Sequence, residues 1–164
     1  MPLIAQSFRP WLQFAHHARL AAMVACTIAT ATIASLSDAR PTEVVACWGL
    51  NSDGQCNVPT DLGSCSQIVA GRFHTVALKD NGAIRCWGSN EFSQCTPPIG
   101  SSPSSLIAAG WFHTLSLSSQ GVTTAWGRNQ SGQCNVPLNL GPCIGIAGGA
   151  EHSLALRANG TIVG

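Results

Sequence analysis

Three histidines recur at one fixed spacing, and imidazole side chains in such a pattern can bind a metal ion. His74, His113 and His152 are each 39 residues apart. Equivalent positions of a repeated structure can meet around a common axis, and imidazole is a frequent ligand of transition metals. Each histidine nevertheless lies within an apolar segment, where hydrogen bonds to the backbone or to a neighbouring unit satisfy the ring. We therefore predict structural histidines and no metal or other cofactor.

The cysteines are the second group of residues with possible chemistry. Seven of the eight follow residue 40, and no two of these are closer than nine residues, which excludes the Cys-x-x-Cys arms of a zinc site. Two pairs share one spacing and flank the same loop of the repeat, and we take them as candidate disulfides: Cys56/Cys65 and Cys134/Cys143. The pairs Cys47/Cys56 and Cys86/Cys95 have equal separation, so the connectivity stays open. Reduced cysteines in a cytosolic protein are the alternative.

The sequence contains no recognisable catalytic motif. Nucleophile-elbow, phosphate-loop and His-Glu-x-x-His patterns do not occur, and the carboxylates are too scattered to form a general acid and base. After residue 39, six basic residues oppose six acidic ones, whereas nucleic-acid binders normally carry a basic surface. We therefore predict a protein that is not an enzyme and does not bind nucleic acid.

The 39-residue period organises all of residues 44–164. Identical residues recur in step with the three histidines, at Trp48, Trp87 and Trp126 and at Gly71, Gly110 and Gly149. Such regularity favours core packing over binding for the tryptophans. Short apolar runs at 67–71, 73–79 and 83–88 predict strands, and the Asn-Gly at 81–82 predicts a hairpin. Each period therefore predicts a small antiparallel blade that must pack on its neighbours to bury its apolar faces.

The repeated phrases resemble those of a known family. CWGxNxxGQC, followed by IVAGxxHTVAL and NGAIRCWG, resembles the repeat of the regulator of chromosome condensation family. The likeness is greatest to its short-repeat bacterial branch, which includes the propeller-type β-lactamase inhibitor proteins. It covers about residues 44–164 and implies a β-propeller, commonly seven-bladed. In such a propeller the Gly, Trp and His positions are structural and the loops bind partners.

We therefore expect an all-β chain that forms a partial β-propeller of about three small antiparallel blades. The repeats are 44–82, 83–121 and 122–160, with the start of a fourth at 161–164. Propellers have about 4–8 blades, so we expect a fragment, a truncated product, or a chain that self-associates through open blade faces.

Residues 1–39 have the composition of an export signal or an N-terminal anchor. Arg9 and Arg19 precede the uncharged stretch 20–36, and 37–39 offers small residues at the positions that a signal peptidase reads. The stretch is shorter than the about 20 residues of a typical membrane span. We expect a secreted or periplasmic protein, with membrane anchoring through this segment as the alternative.

Positions at which the copies differ are candidates for partner binding. Three such columns contain Leu50, Ser89 and Arg128, then Arg72 and Trp111, then Phe73, Phe112 and Glu151. Exposed aromatic and arginine side chains suit a protein interface, although neutral drift produces the same variation.

The function that these observations predict is an exported, non-catalytic repeat module that binds a protein or cell-surface ligand. The resemblance implies two alternatives. One is a guanine-nucleotide exchange factor-like regulator of a small GTPase, the activity of the family's founding member. The other is a proteinaceous inhibitor of an extracellular enzyme. Export and the balanced charge argue against the exchange factor, which must act where GTPases are.

Overall fold

The described part of the chain consists of β-strands and loops. The computed structural model describes residues 45–164, in which nine strands form three antiparallel sheets of three strands each. The strands are β1 (Cys65–Ala70), β2 (His74–Lys79), β3 (Ile84–Gly88), β4 (Ser104–Ala109), β5 (His113–Ser118), β6 (Thr123–Gly127), β7 (Cys143–Gly148), β8 (Ser153–Arg157) and β9 (Ile162–Val163). We call the sheets β1–β3, β4–β6 and β7–β9 blades 1, 2 and 3. The predicted all-β class with about three small antiparallel blades is confirmed.

The predicted hairpin joins the second and third strands of a blade. In blade 1 the amide of Gly82 donates to the Lys79 carbonyl at 2.8 Å, and the amide of Lys79 donates to the Ala83 carbonyl at 2.8 Å. Gly82 has φ +80°, a conformation that L side chains rarely adopt, which explains the glycine at this turn.

No helix of residues 45–164 has the length and apolar character needed to span a bilayer.

Each blade is assembled from two successive sequence repeats. The first two strands of blade 1 come from one repeat, and β3 opens the next. Trp87 lies near the end of β3, and its indole Nε1 donates to the carbonyl oxygen of Gln55 at 2.9 Å. The hydroxyl of Thr75 on β2 donates to the same oxygen at 2.8 Å. The loop before a blade is therefore tied to both the middle and the last strand of that blade.

Apolar side chains between blades form the core. Val76 and Leu78 on β2 are buried and pack against Ile107 on β4. Leu117 on β5 packs in the same way with Cys143 and Ala155 of blade 3. A blade's apolar surface is thus covered by the blade that follows it in the chain.

Glycine at the end of the first strand lets neighbouring blades approach closely. A Cβ at Gly110 would collide with the His113 ring and with the carbonyl oxygen of Gly149 in blade 3. Gly71 is equally restricted, because a Cβ there would collide with the His74 ring and lie 2.7 Å from the Gly110 oxygen. This steric limit explains why glycine occupies this column in every repeat.

One expectation about the first repeat was wrong. The side chain of Trp48 is 70% exposed, whereas Trp87 and Trp126 are buried. Residues 45–49 form no strand, because a strand needs a hydrogen-bonded neighbour and none of the nine strands pairs with this segment. Among the described residues, no middle strand and no preceding loop lie against the Trp48 indole as they do against Trp87 and Trp126.

Replacing Gly110 with alanine tests the close approach of the blades. We expect Gly110→Ala to lower the free energy of unfolding by about 1–3 kcal/mol, because the new methyl group forces the His113 ring and blade 3 apart. Gly145→Ala is the matched control: its Cβ would lie 3.5 Å from Leu156, an ordinary contact. Urea denaturation followed by tryptophan fluorescence measures both variants, and equal stability of the two would contradict this explanation of the glycine column.

Candidate functional site

One end of the blades gathers the residues that differ between repeats. The loop Gly71–Phe73 joins β1 to β2, and the amide of Ser89, just after β3, donates to the Phe73 carbonyl at 2.8 Å. The same contact recurs in blade 2 between Arg128 and Phe112, at 2.9 Å. The loop and the strand end therefore lie side by side. We call the surface they form the aromatic edge; it consists of Arg72, Phe73, Phe92, Trp111, Phe112, Arg128 and Glu151.

Phe112 connects the aromatic rings of this edge. Its ring centroid lies 5.6 Å from that of Phe73 in blade 1 and 5.4 Å from that of Phe92, which it meets edge-on. Aromatic pairs at these separations attract one another beyond the effect of burying their area. The half-buried rings therefore form a continuous row across two blades.

Arg72 covers one end of this row. Its guanidinium carbon lies 4.5 Å from the Trp111 ring and 5.0 Å from the Phe73 ring, both within the range of cation–π attraction. Arg72 is exposed, and no ion pair to another residue of the range 45–164 is found for it. Its N–H groups are thus held in place by stacking and remain open to solvent.

Arg128 covers the other end and is neutralised. Its guanidinium carbon lies 5.7 Å from the rings of Phe92 and Phe112. Its Nη1 lies 3.2 Å from Oε1 of Glu151 in blade 3, and the Ser131 hydroxyl donates to the other carboxylate oxygen at 3.3 Å. The two arginines of the edge therefore differ, since only Arg128 has an acidic partner here.

Six of the eight predicted binding residues meet in the aromatic edge. Leu50 is exposed but makes none of these ring contacts. Ser89 is only 9% exposed, and its hydroxyl accepts from the buried Gln94 Nε2 at 3.3 Å, so its proposal as a binding residue needs correction. Phe92 was not among the predicted binding residues. Its column in the repeat (Asp53, Phe92 and Ser131) nevertheless varies as strongly as the columns that contain the predicted residues.

The histidines link one blade to the next. His74 Nε2 lies 3.1 Å from Thr114 Oγ1, and His113 Nε2 lies 3.1 Å from Ser153 Oγ. The single hydroxyl proton of Thr114 is donated to the Gln94 carbonyl at 2.9 Å, so the oxygen must accept from the histidine. His74 Nε2 therefore carries a proton. Within residues 45–164, no group of three or more potential ligands is placed to hold a metal ion.

Burial keeps these imidazoles uncharged. Loss of solvation lowers the pKa of His74 from 6.5 to about 4, with a smaller contribution from His113. Loss of solvation also lowers the pKa of His113. Protonation would place a charge between two blades and also turn the buried Nδ1 atoms, which have no hydrogen-bond partner, into donors.

The disulfide pairing differs from the one favoured by the sequence. Cys56 is bonded to Cys47 and not to Cys65, and Cys86 is bonded to Cys95, with Cα atoms 4.9 and 5.0 Å apart. Asn51 explains the first pairing, because its side-chain oxygen accepts from the Cys56 amide at 2.8 Å and folds the loop back toward Cys47.

The third repeat has no such bridge because Ala125 replaces the first cysteine. Cys134 and Cys143, the second predicted pair, are both reduced thiols. Burial raises the pKa of Cys134, whose sulfur lies 3.4 Å from the Arg128 carbonyl oxygen.

Two stretches of the chain match the model of a described repeat. The profile of the Regulator of chromosome condensation (RCC1) repeat matches residues 65–94 and 105–133. These stretches include the first two blades and the loops of their aromatic edge. Residues 65–133 of this chain carry RCC1 repeats.

Several solved structures have a fold similar to that of this chain. Yeast RCC1 (Prp20), in its complex with Kap60, matches with a TM-score of 0.60 and 22% identity, over 70% of this chain and 38% of that chain. The ectodomain of the Physcomitrella patens receptor kinase CR4 matches with a TM-score of 0.60 and 22% identity, over 72% of this chain and 34% of that chain. Human WBSCR16 matches with a TM-score of 0.59 and 20% identity, over 70% of this chain and 40% of that chain.

The likeness to these structures shows the β-propeller fold. The matched part of this chain spans two fifths or less of the length of these solved proteins. No curated protein matches the chain in sequence.

Acidification tests the buried histidine of blade 1. A lowered pKa means that the unfolded chain takes up a proton at higher pH than the folded chain. The contribution of His74 is therefore complete above pH 6.5 and is lost as the pH falls to about 4. We expect the free energy of unfolding to fall by about 3 kcal/mol over this window from His74 alone. Urea denaturation at successive pH values measures it, and His74→Gln, which does not titrate, should give a flatter profile; an unchanged slope would count against the assignment.

Restoring the third disulfide tests the correction to the pairing. We expect Ala125→Cys to form a bridge with Cys134 and to raise the free energy of unfolding by about 2–3 kcal/mol, because the loop is closed in the unfolded chain as well. Peptide mapping without reduction identifies the bridge, and Ala125→Ser is the control. A bridge from position 125 to any other cysteine would disprove the register of this loop.

Proposed function

We propose that this chain is an exported, non-catalytic β-propeller module that binds a partner protein through the aromatic edge. The observation that carries the proposal is the contrast between the frame and the edge. Trp, His and Gly positions that hold the blades together repeat without change, whereas the residues that differ between repeats converge on one surface. Variable loops on a rigid frame are the usual arrangement of a binding surface.

The composition of the edge supports a protein partner. Exposed arginine and tryptophan are the side chains that most often dominate the energy of protein interfaces. Arg72, stacked between two rings, is held in one orientation before binding, which lowers the entropic cost of using it. Since Arg128 is already paired with Glu151, the unpaired Arg72 selects a partner that offers a carboxylate beside an apolar or aromatic side chain.

Proteins of similar fold are known to bind other proteins. Yeast RCC1 (Prp20) has been solved bound to Kap60, and its binding to Gsp1p and histones has been described. These partners belong to the yeast protein. They support a protein-binding role here in the general sense only.

Two disulfides support export. Cys47–Cys56 and Cys86–Cys95 each close a loop next to the repeated Trp-Gly, and such bonds persist in oxidising compartments. The segment 1–39, read above as an export signal, lies outside the described residues. Sequencing the amino terminus of the native protein, together with mapping its cysteines without reduction, tests this part of the proposal.

Capture of partners by the immobilised chain tests the binding surface. We expect the full chain to retain a specific protein from the culture supernatant or cell-surface extract of the organism that encodes it. Arg72→Ser combined with Trp111→Ser should reduce the recovered partner at least about tenfold. Quantitative mass spectrometry of the bound fraction measures the loss.

A second double variant controls for general effects on the surface. Arg85→Ser with Ile99→Ser also removes one exposed arginine and one exposed apolar side chain, but both residues lie outside the aromatic edge. This variant should bind as the natural chain does. Equal loss in both variants, or no loss in either, would contradict binding through the aromatic edge, and capture of only a cytosolic GTPase would contradict export.

A further inference from the structure

Blade 2 contains a cavity in a place that side chains fill in blade 1. The cavity measures about 200 Å³ and is lined by the loop 100–103, by strands β5 and β6 and by the hairpin between them. Every lining residue lies between positions 100 and 124, and blade 2 has a described blade on either side. The cavity is therefore internal to this blade and independent of the outer faces of the stack. We call it the hydroxyl cavity.

Larger side chains occupy the corresponding place in blade 1. Leu62, from the loop before β1, forms a buried cluster with Ala77 and Trp87. An ion pair joins the same loop to β3, because Arg85 Nη2 lies 3.3 Å from Asp61 Oδ1. The loop of blade 1 is thus held against its strands by an apolar contact inside and a charged contact at the surface.

Blade 2 departs from this arrangement in four columns at once. Gly100, Ser101, Ser116 and Thr124 follow Asp61, Leu62, Ala77 and Arg85 by 39 residues each. Gly100 and Thr124 cannot form the ion pair, and Ser101 is too short to replace the leucine. Leucine and alanine return in the third repeat, at positions 140 and 155. The exchanges in the second repeat therefore account for the open space in blade 2.

The lining offers hydroxyl groups whose hydrogen-bonding capacity is unused. Ser116 is only 2% exposed, yet no hydrogen bond from its hydroxyl to another residue of the range 45–164 is found. Ser118 Oγ accepts from the amides of Gln120 and Val122, both at 3.2 Å, and its own proton has no acceptor in the described part of the chain. The Thr124 hydroxyl is likewise without a described partner. Since a buried hydroxyl without a partner is unfavourable, Ser116 indicates that an occupant of the cavity binds it.

The chemistry of the lining selects a small neutral ligand with several hydroxyl groups. No acidic or basic side chain is among the described residues that line the cavity, so a charged ligand would lose hydration without gaining an opposite charge. Hydroxyl groups both donate and accept, which matches ligand groups of the same kind. Pro103 and the exposed Val122 add apolar contacts for the C–H groups of a ring. The volume corresponds to about six water molecules, the space that one pyranose sugar requires.

We propose that the hydroxyl cavity binds one neutral pyranose sugar, free or at the end of a glycan. Ser116 and Thr124 exchange hydrogen bonds with its hydroxyl groups, and Ser118 donates the proton that the hairpin amides leave unused. The site shares no residue with the aromatic edge. It also lies at the opposite end of β5, because His113 begins this strand beside the edge and Ser118 ends it. Sugar binding is therefore separate from the protein interface proposed above.

Titration of the isotope-labelled full chain with sugars, followed by NMR, tests the proposal. The probes are glucose, galactose, mannose and N-acetylglucosamine. We expect at least one of them to bind with a dissociation constant of about 1 mM or below and to shift the amide signals of Ser116, Ser118 and Val122. Sodium sulfate, a charged probe, should leave these signals unchanged. A cavity that holds only water, seen as no shift with any of the four sugars, would overturn the proposal, as would equal shifts with sulfate.

Variants that restore the residues of blade 1 separate binding from folding. Ser101→Leu fills the cavity with the side chain found at Leu62, and Ser116→Ala removes the unpaired hydroxyl, as at Ala77. Both should unfold at or above the temperature of the natural chain. Ser101→Leu should abolish sugar binding, and Ser116→Ala should weaken it about tenfold. Ser66→Ala, which removes an exposed serine of blade 1, is the control and should bind as the natural chain does. Unchanged binding in Ser101→Leu or in Ser116→Ala would contradict the site.

The anomeric oxygen distinguishes a free sugar from the end of a glycan. A methyl glycoside has the same ring with this oxygen blocked, as in a sugar that ends a glycan chain. Equal binding of the sugar and its methyl glycoside would support a glycan as the source of the ligand. Loss of binding on methylation would support a free sugar.

Discussion

One carbonyl oxygen in each repeat holds neighbouring parts of the chain in register. The Gln94 carbonyl accepts from Thr114 Oγ1 and from Trp126 Nε1, both at 2.9 Å, and Thr114 in turn accepts from His74 of the preceding blade. This chain of hydrogen bonds connects a loop, the blade that follows it and the blade before it. Because all three groups are buried, leaving any one of them unpaired is costly, so the blades cannot shift relative to one another.

The rigid frame leaves the loops at one end free to differ. Glycines at the ends of β1, β4 and β7 bring the blades so close that the following two residues of each loop lie beside those of the next blade. Substitutions in those two positions change the surface without touching the hydrogen bonds that hold the frame. Arg72 and Trp111 come into contact for this reason, although 39 residues separate them.

Much of the fold could be predicted because its signals are local. Asn81-Gly82 marks the hairpin, and the short apolar runs on either side of it mark β2 and β3. The disulfide pairing could not be predicted in the same way. Cys47–Cys56 and Cys56–Cys65 close loops of equal length, and the choice between them depends on the hydrogen bond from the Cys56 amide to Asn51, which spacing does not show. Trp48 was misjudged because the tryptophans of this column are buried only where the middle strand of their blade and the loop before that blade lie against the indole.

The sequence by itself determined the period, the strand type and the residues that must be identical, because steric and hydrogen-bonding demands at these positions recur in every blade. It also indicated most of the candidate surface, since columns that vary are visible without coordinates. Only the tertiary structure decided that Ser89 is buried, that Phe92 joins the aromatic row and that Arg128, unlike Arg72, has an acidic partner. These outcomes depend on side-chain directions and on contacts between blades, and neither is encoded in the spacing of residues along the chain.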